Sequence, residues 1–248
     1  MAFLAEVDAN FERFTRSWRA ERDRTQTALD ASSDVFKNSY RRLTSLQAWR
    51  SMLLEQRLAA ASLAFFLEAQ NDVLVSHTLA QVGSWRSALQ ALRSCLENVA
   101  VCLYYKDHPV ELRLWQDGRH RIGFSAGVGY LRQHPDLKGV PATISGLDTL
   151  EKEYGVLSRA VHASAANFRM TADAATTILC SSSAVSLGKW RTRESECVSS
   201  LNLLLTSLYR LDLQGARLPG LRQAISLAVP AGRYPEVKAR LKVALAKA

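Results

Sequence analysis

Leu89, Leu92, Leu96, Val99 and Leu103 recur at alternating spacings of three and four, which lines one side of an α-helix with apolar side chains. Leu147, Leu150, Tyr154, Leu157 and Val161 carry the same periodicity, and so do Leu201, Leu204, Leu205, Leu208 and Leu211. From Met1 to Val82 there is no glycine or proline, and leucine, alanine, arginine and glutamate abound, so the first third predicts long helices and no strands.

Punctuation sets the expected boundaries. Short polar side chains at Asp30-Ala31-Ser32-Ser33-Asp34 can cap a new helix start, which predicts a second helix from about Val35 to Val75, interrupted near Ser51. The helix carrying Leu89 stops around Tyr105-Lys106-Asp107-His108-Pro109, since proline disfavours helical geometry in the residue before it. A further helix is expected over Val110 to Leu131, with Gly118, Gly123, Gly127 and Gly129 either weakening it or admitting a close neighbour. Two prolines and two glycines between His134 and Gly146 mark the main internal loop, and a new helix begins near Leu147. Ala163 to Gly188 has no dominant period; a small-residue helix and an irregular hairpin both fit. Trp190 to Leu213 is again helical, and a last helix is expected over Glu236 to Ala248. The reading is all-α: an up-and-down helical bundle over residues 1–213 with long N-terminal helices, followed by a basic helical C-terminal extension over 214–248.

Composition adds charge to this picture. The 248 residues include 32 lysines and arginines against 23 acidic residues, a formal charge of +9 that favours polyanionic partners. From Gly215 onward seven basic residues, among them Arg233, Lys238, Arg240 and Lys242, face Glu236 alone. That segment reads as a solvated helix face or as a docking surface for nucleic acid or an acidic protein. Cys95, Cys102, Cys180 and Cys197 form no CxxC pair, so reduced, packed thiols are expected and no metal is implied. No segment approaches the roughly 20 uncharged apolar residues of a membrane span, and the opening residues lack a secretory pattern, so the expected location is the cytoplasm, away from membranes.

Most catalytic signatures are missing. The glycines match neither a Walker loop nor a GxGxxG turn, no GxSxG, HExxH or EF-hand motif stands in the chain, and the histidines at 77, 108, 120, 134 and 162 are scattered. Two rows remain. Arg86, Gln90, Arg93 and Glu97 lie beside the Leu89 stripe, and Arg93 can pair with Glu97 one turn on. Tyr154, Ser158 and His162 recur every four residues, and histidine exchanges protons near neutral pH. The plainer account is a rim salt bridge and a half-polar helix contact.

The stretch ALRSCLENVAVCLYYKDHPVELRLW, followed some fifty residues later by LEKEYGVLSRAVHASA, resembles proteins of the HEPN-like superfamily, in which an arginine and an acidic residue on an early bundle helix precede a tyrosine, serine and histidine string on a later one. The resemblance spans roughly Ser87 to Ser164 and matches Arg93, Glu97, Tyr154, Ser158 and His162 as catalytic candidates. It implies an up-and-down helical bundle, a metal-independent endoribonuclease or RNA-binding role in toxin-antitoxin or antiviral defence systems, no cofactor, and a homodimer that composes its site across a symmetry axis. Family ribonucleases place four to six residues between an arginine and the histidine, whereas here Arg159 precedes His162 by three positions and Arg169 follows it by seven. Arg93 would neutralise phosphate charge, His162 would move the ribose 2′-hydroxyl proton, and Arg86, Arg159 and Arg169 would hold the strand together with the basic C-terminal residues. Two other readings stay open: a non-enzymatic interaction module whose basic tail docks an acidic partner, and a DNA-associated regulator.

Overall fold

The structure is a computed structural model that describes residues 2–161 and 180–245. All regular elements among them are helical, in agreement with the expected all-α bundle. The chain begins with α1 (Ala2–Asp30) and α2 (Ser33–Trp49), divided within the polar stretch that predicted a boundary. One π-helical turn, Arg50–Leu54, and the short α3 (Glu55–Arg57) lead to extended backbone at Leu58 and Ala59, from which α4 (Ala60–Gln81) starts. The interruption expected near Ser51 is therefore a π-turn followed by a full break.

Helix α5 (Trp85–Tyr105) is the axis of the fold. It packs along α4 and also meets α7 (Phe124–Gln133), α9 (Leu147–Val161) and α10 (Ala184–Leu208). Its predicted stripe is buried throughout, with Leu92 and Val99 fully enclosed. Around it lie Trp49, Phe66, Leu157, Trp190 and Leu201, all in the interior. At about 25 cal/mol per Å² of apolar surface, burial of this kind is the main driving term for the bundle.

Buried polar groups tie the helices in register. Trp49 Nε1 on α2 donates to Asn202 Oδ1 on α10 at 2.9 Å, and Asn202 Nδ2 donates in turn to Ser45 Oγ at 2.8 Å. Arg42 of α2 pairs with the enclosed Glu194 of α10, Nε standing 3.0 Å from Oε2. Trp190 Nε1 donates to Ser76 Oγ on α4 at 3.1 Å. A buried polar atom without a partner is costly, so each bond discriminates against slipped packings.

Three expectations need correction. The helix proposed over Val110 to Leu131 is two helices, α6 (Pro109–Gln116) and α7. Gly118 ends α6 in the left-handed region, φ 72°, with the Arg119 amide donating to Leu114 O and that of Gly118 to Trp115 O. Glycine carries no Cβ penalty there, so the chain takes the stop. The final helix, α13 (Tyr234–Leu241), starts two residues earlier than expected and ends at Lys242, also left-handed. The long helix expected from Trp190 begins instead at Ala184, where the Ser183 hydroxyl accepts from the Ser186 amide.

The chain after α11 (Arg210–Leu213) is basic, and it is also part of the core. Leu221 and Ile225 of α12 (Pro219–Ala228), Val237 and Leu241 of α13, and Val243 are fully enclosed and join the central cluster. Helix α12 packs on α2. Between α7 and α9, the short α8 (Ala142–Ser145) closes on Gly146 at φ 78°, where an added Cβ would lie 2.6 Å from Ser200 O of α10. This close approach seats the start of α9 on α10. Among the described residues no helix is long and apolar enough to cross a membrane.

Candidate functional site

Arg93 and Glu97 each follow a buried leucine of α5, so they emerge at the edge of the apolar seam, where α9 crosses it. On α9, Leu150, Leu157 and Ala160 face inward and Glu153 turns to α10, where Arg193 Nη1 lies 2.7 Å from its Oε1. With those contacts fixed, Tyr154 and Ser158 can only present to α5. The helix rotation set by the leucines thus aims all four side chains at one spot.

There they form one connected network. Arg93 Nη2 lies 2.8 Å from Glu97 Oε1 and donates to the Tyr154 hydroxyl at 2.7 Å. Tyr154 passes the chain on, its hydroxyl donating to Glu97 Oε1 at 2.7 Å. Arg93 Nε donates to Ser158 Oγ at 3.2 Å. The guanidinium carbon stands 4.9 Å from the Tyr154 ring centroid, and Phe124 of α7 stacks on that ring at 3.9 Å. Burial, and then the hydrogen bond to Glu97, push the Tyr154 phenol above its ordinary value, so it is a neutral donor here. Side-chain exposures of 23% for Arg93 and 32% for Glu97 leave the network at the surface of the bundle, neither sealed nor freely solvated.

Chemically, this is a held guanidinium. Nε and Nη2 are held by Ser158, Tyr154 and Glu97, and among the described residues no hydrogen bond engages Nη1. A pair of this type on a free helix is worth a few tenths of a kcal/mol. Here the phenol, the hydroxyl and the stacked ring fix its geometry, which an isolated rim pair does not achieve. Four of the five proposed catalytic positions therefore come together. His162 and Arg169 lie outside the described residues.

The proposed nucleic-acid-binding residues divide. Arg86 is half-buried two turns before Arg93 on α5, and Arg159 is exposed beside Ser158. Arg233 donates from Nη2 to Thr143 O at 2.6 Å and pairs with Glu236, so it anchors α13 against α8. Lys238, Arg240 and Lys242 are exposed.

A second polar cluster was not legible. Tyr104 stacks on His108 at 3.9 Å, Tyr105 shares a hydrogen bond with His120 at 3.0 Å, and Tyr130 donates to Asp107 at 2.8 Å, so three histidines distant in sequence meet at one end of α5. Burial works against the Asp107 charge, yet bonds from Lys106, Tyr130 and His134 outweigh it and hold the carboxyl below its ordinary range. His134 Nδ1 accepts from the Asp136 amide and Nε2 lies 3.1 Å from Asp107 Oδ2, so both ring nitrogens are engaged and the ring positions the turn that follows. Only the four-residue step from Tyr104 to His108 signalled this cluster in the sequence. Among the described residues no group of three histidines, cysteines or carboxylates is arranged to hold a metal ion.

Set against known proteins, the chain matches no family model, no curated protein and no solved structure.

Proposed function

We propose that the chain is a HEPN-like, RNA-associated protein of prokaryotic stress or phage-defence systems, with the Arg93 cluster as its phosphate-contacting site and metal-independent endoribonuclease activity of atypical layout. The observation that supports this reading is the junction of Arg93, Glu97, Tyr154 and Ser158 from two separate helices. Glu97 and Tyr154 set the plane of the guanidinium, and Nη1 donates to a bridging phosphate oxygen as charge develops on it. His162, four residues beyond Ser158, takes the 2′-hydroxyl proton; the 2′-oxygen bonds to phosphorus as the bond to the 5′-oxygen breaks and that oxygen takes a proton from water, leaving a 2′,3′-cyclic phosphate and a 5′-hydroxyl end.

The test uses purified protein and labelled total RNA in chelator, followed by gel retention and end-group analysis. Wild type retains RNA and produces 5′-hydroxyl ends; His162→Ala retains RNA without cutting it, and Arg93→Gln weakens retention at least tenfold. Failure of wild type to retain RNA at low salt would refute the reading.

A second reading is docking of an acidic protein through the C-terminal segment, favoured by the joint exposure of Lys238, Arg240 and Lys242 around an anchored hydrophobic side. Reversing these three charges would abolish partner capture, whereas His162→Ala would leave it unchanged.

A further inference from the structure

Helix α1 is 29 residues long, about 44 Å at 1.5 Å per residue, and only Thr25 and Leu29 near its end are buried. Leu4, Val7, Phe11, Phe14 and Trp18 follow spacings of three, four, three and four, a single narrow seam. Leu4 and Phe11 are each 66% exposed, Phe14 57% and Val7 43%, while Trp18 is half-buried with the Arg22 guanidinium over its ring, so the outer four side chains of the seam lie open. Isolated exposed apolar residues need no reason, but a contiguous helical row of this size does.

The charges beside the seam identify what covers it. Residues 2–12 carry Glu6, Asp8 and Glu12 and no cation. Residues 13–24 carry Arg13, Arg16, Arg19, Arg22 and Arg24 against Glu21 and Asp23. The helix is thus acidic in its outer half and basic in its inner half. Parallel alignment of two copies sets like charge on like; antiparallel alignment sets each acidic half on a basic half, and the same patch serves both partners, as a two-fold axis requires. The acidic outer half also repels an anionic lipid surface, the other home for a row of Phe, Leu and Trp.

We propose that α1 pairs with α1 of a second copy of this chain, antiparallel, about an axis passing between Phe11 and Phe14. In that register Phe11 packs on the partner's Phe14 and Val7 on the partner's Trp18. The seam side chains of the two copies together remove on the order of 1,000 Å² from water, the threshold of a specific interface. The pairing uses no residue of the Arg93 cluster and stands apart from the RNA reading.

Sedimentation equilibrium of the full chain tests it, with a dimer expected for wild type. Phe14→Glu and, separately, Leu4→Glu should each raise the dimer dissociation constant at least tenfold with unchanged helical circular dichroism, because both sites are exposed. Orientation is read by mixing Val7→Cys with Trp18→Cys protein under mild oxidation: a disulfide between the two variants is expected. A monomer at all concentrations overturns the proposal, as does cross-linking only within each variant alone. Co-sedimentation with phosphatidylcholine–phosphatidylglycerol vesicles by a protein that stays monomeric would overturn it in favour of a lipid surface.

Discussion

Replacing Arg42 with alanine isolates the dependence of an enclosed carboxylate on its charge partner. Glu194 is 1% exposed and Arg42 supplies its charge partner from α2, so the variant leaves a carboxylate in the interior without a cation. Breaking a buried pair from one side costs about 3–5 kcal/mol. For a chain of this size each kcal/mol moves the melting temperature by roughly 2–4 °C, so a fall of about 6–20 °C is expected. The loss should also depend on pH. Burial raises the Glu194 carboxyl above its ordinary 4.5, and Arg42 opposes that rise. A carboxyl raised in the folded state contributes stability that is fully present below the unfolded value and is lost as pH climbs through the folded one. Removing Arg42 raises the carboxyl further, so the variant should lose stability more steeply than wild type from about pH 4.5 upward. Urea unfolding followed by circular dichroism at several pH values measures this, and adding Glu194→Gln to the variant should restore part of the loss. A deficit below about 1 kcal/mol at neutral pH, or one that does not change with pH, would refute the assignment of a buried, mutually dependent pair.

Other perturbations probe the remaining supports. Gly146→Ala forces a Cβ into the left-handed region and to 2.6 Å from Ser200 O, and should cost about 2–4 kcal/mol by denaturant titration. Stopping the chain after Leu213 removes Leu221, Ile225, Val237 and Leu241 from the core; the product should be unfolded or aggregated, as gel filtration and circular dichroism would report. Tyr154→Phe keeps the stacked ring but deletes the hydroxyl between Arg93 and Glu97, so a loss of about 0.5–1.5 kcal/mol with intact helicity is expected, and an unchanged denaturation midpoint would show that the hydroxyl is not part of a formed network.

Periodicity along the chain was enough to specify the α5 stripe and the inward face of α9, because helix packing hides whatever recurs every three to four residues, and the run of short polar side chains from Asp30 marked the boundary between α1 and α2. It also aligned Arg93 with Glu97 and Tyr154 with Ser158 in two rows, since neighbours one turn apart share a side whatever surrounds them. That the rows face each other depended on the crossing of α5 and α9, which Gly146 and the Arg193–Glu153 pair set from elsewhere in the chain. The histidine and tyrosine group at the end of α5 was hidden for the same reason: His108, His120 and His134 belong to segments whose approach is decided by the turns at Gly118 and Pro135. The basic C-terminal residues show the division most plainly. Their charge was visible in the composition, but a cation's spacing does not report what its apolar neighbours bury, and only the fold revealed that Val237 and Leu241 lock into the core while Lys238 and Arg240 stay in water. Local order along a helix is written in sequence spacing; which helices meet, and at what angle, follows from contacts between residues far apart in the chain.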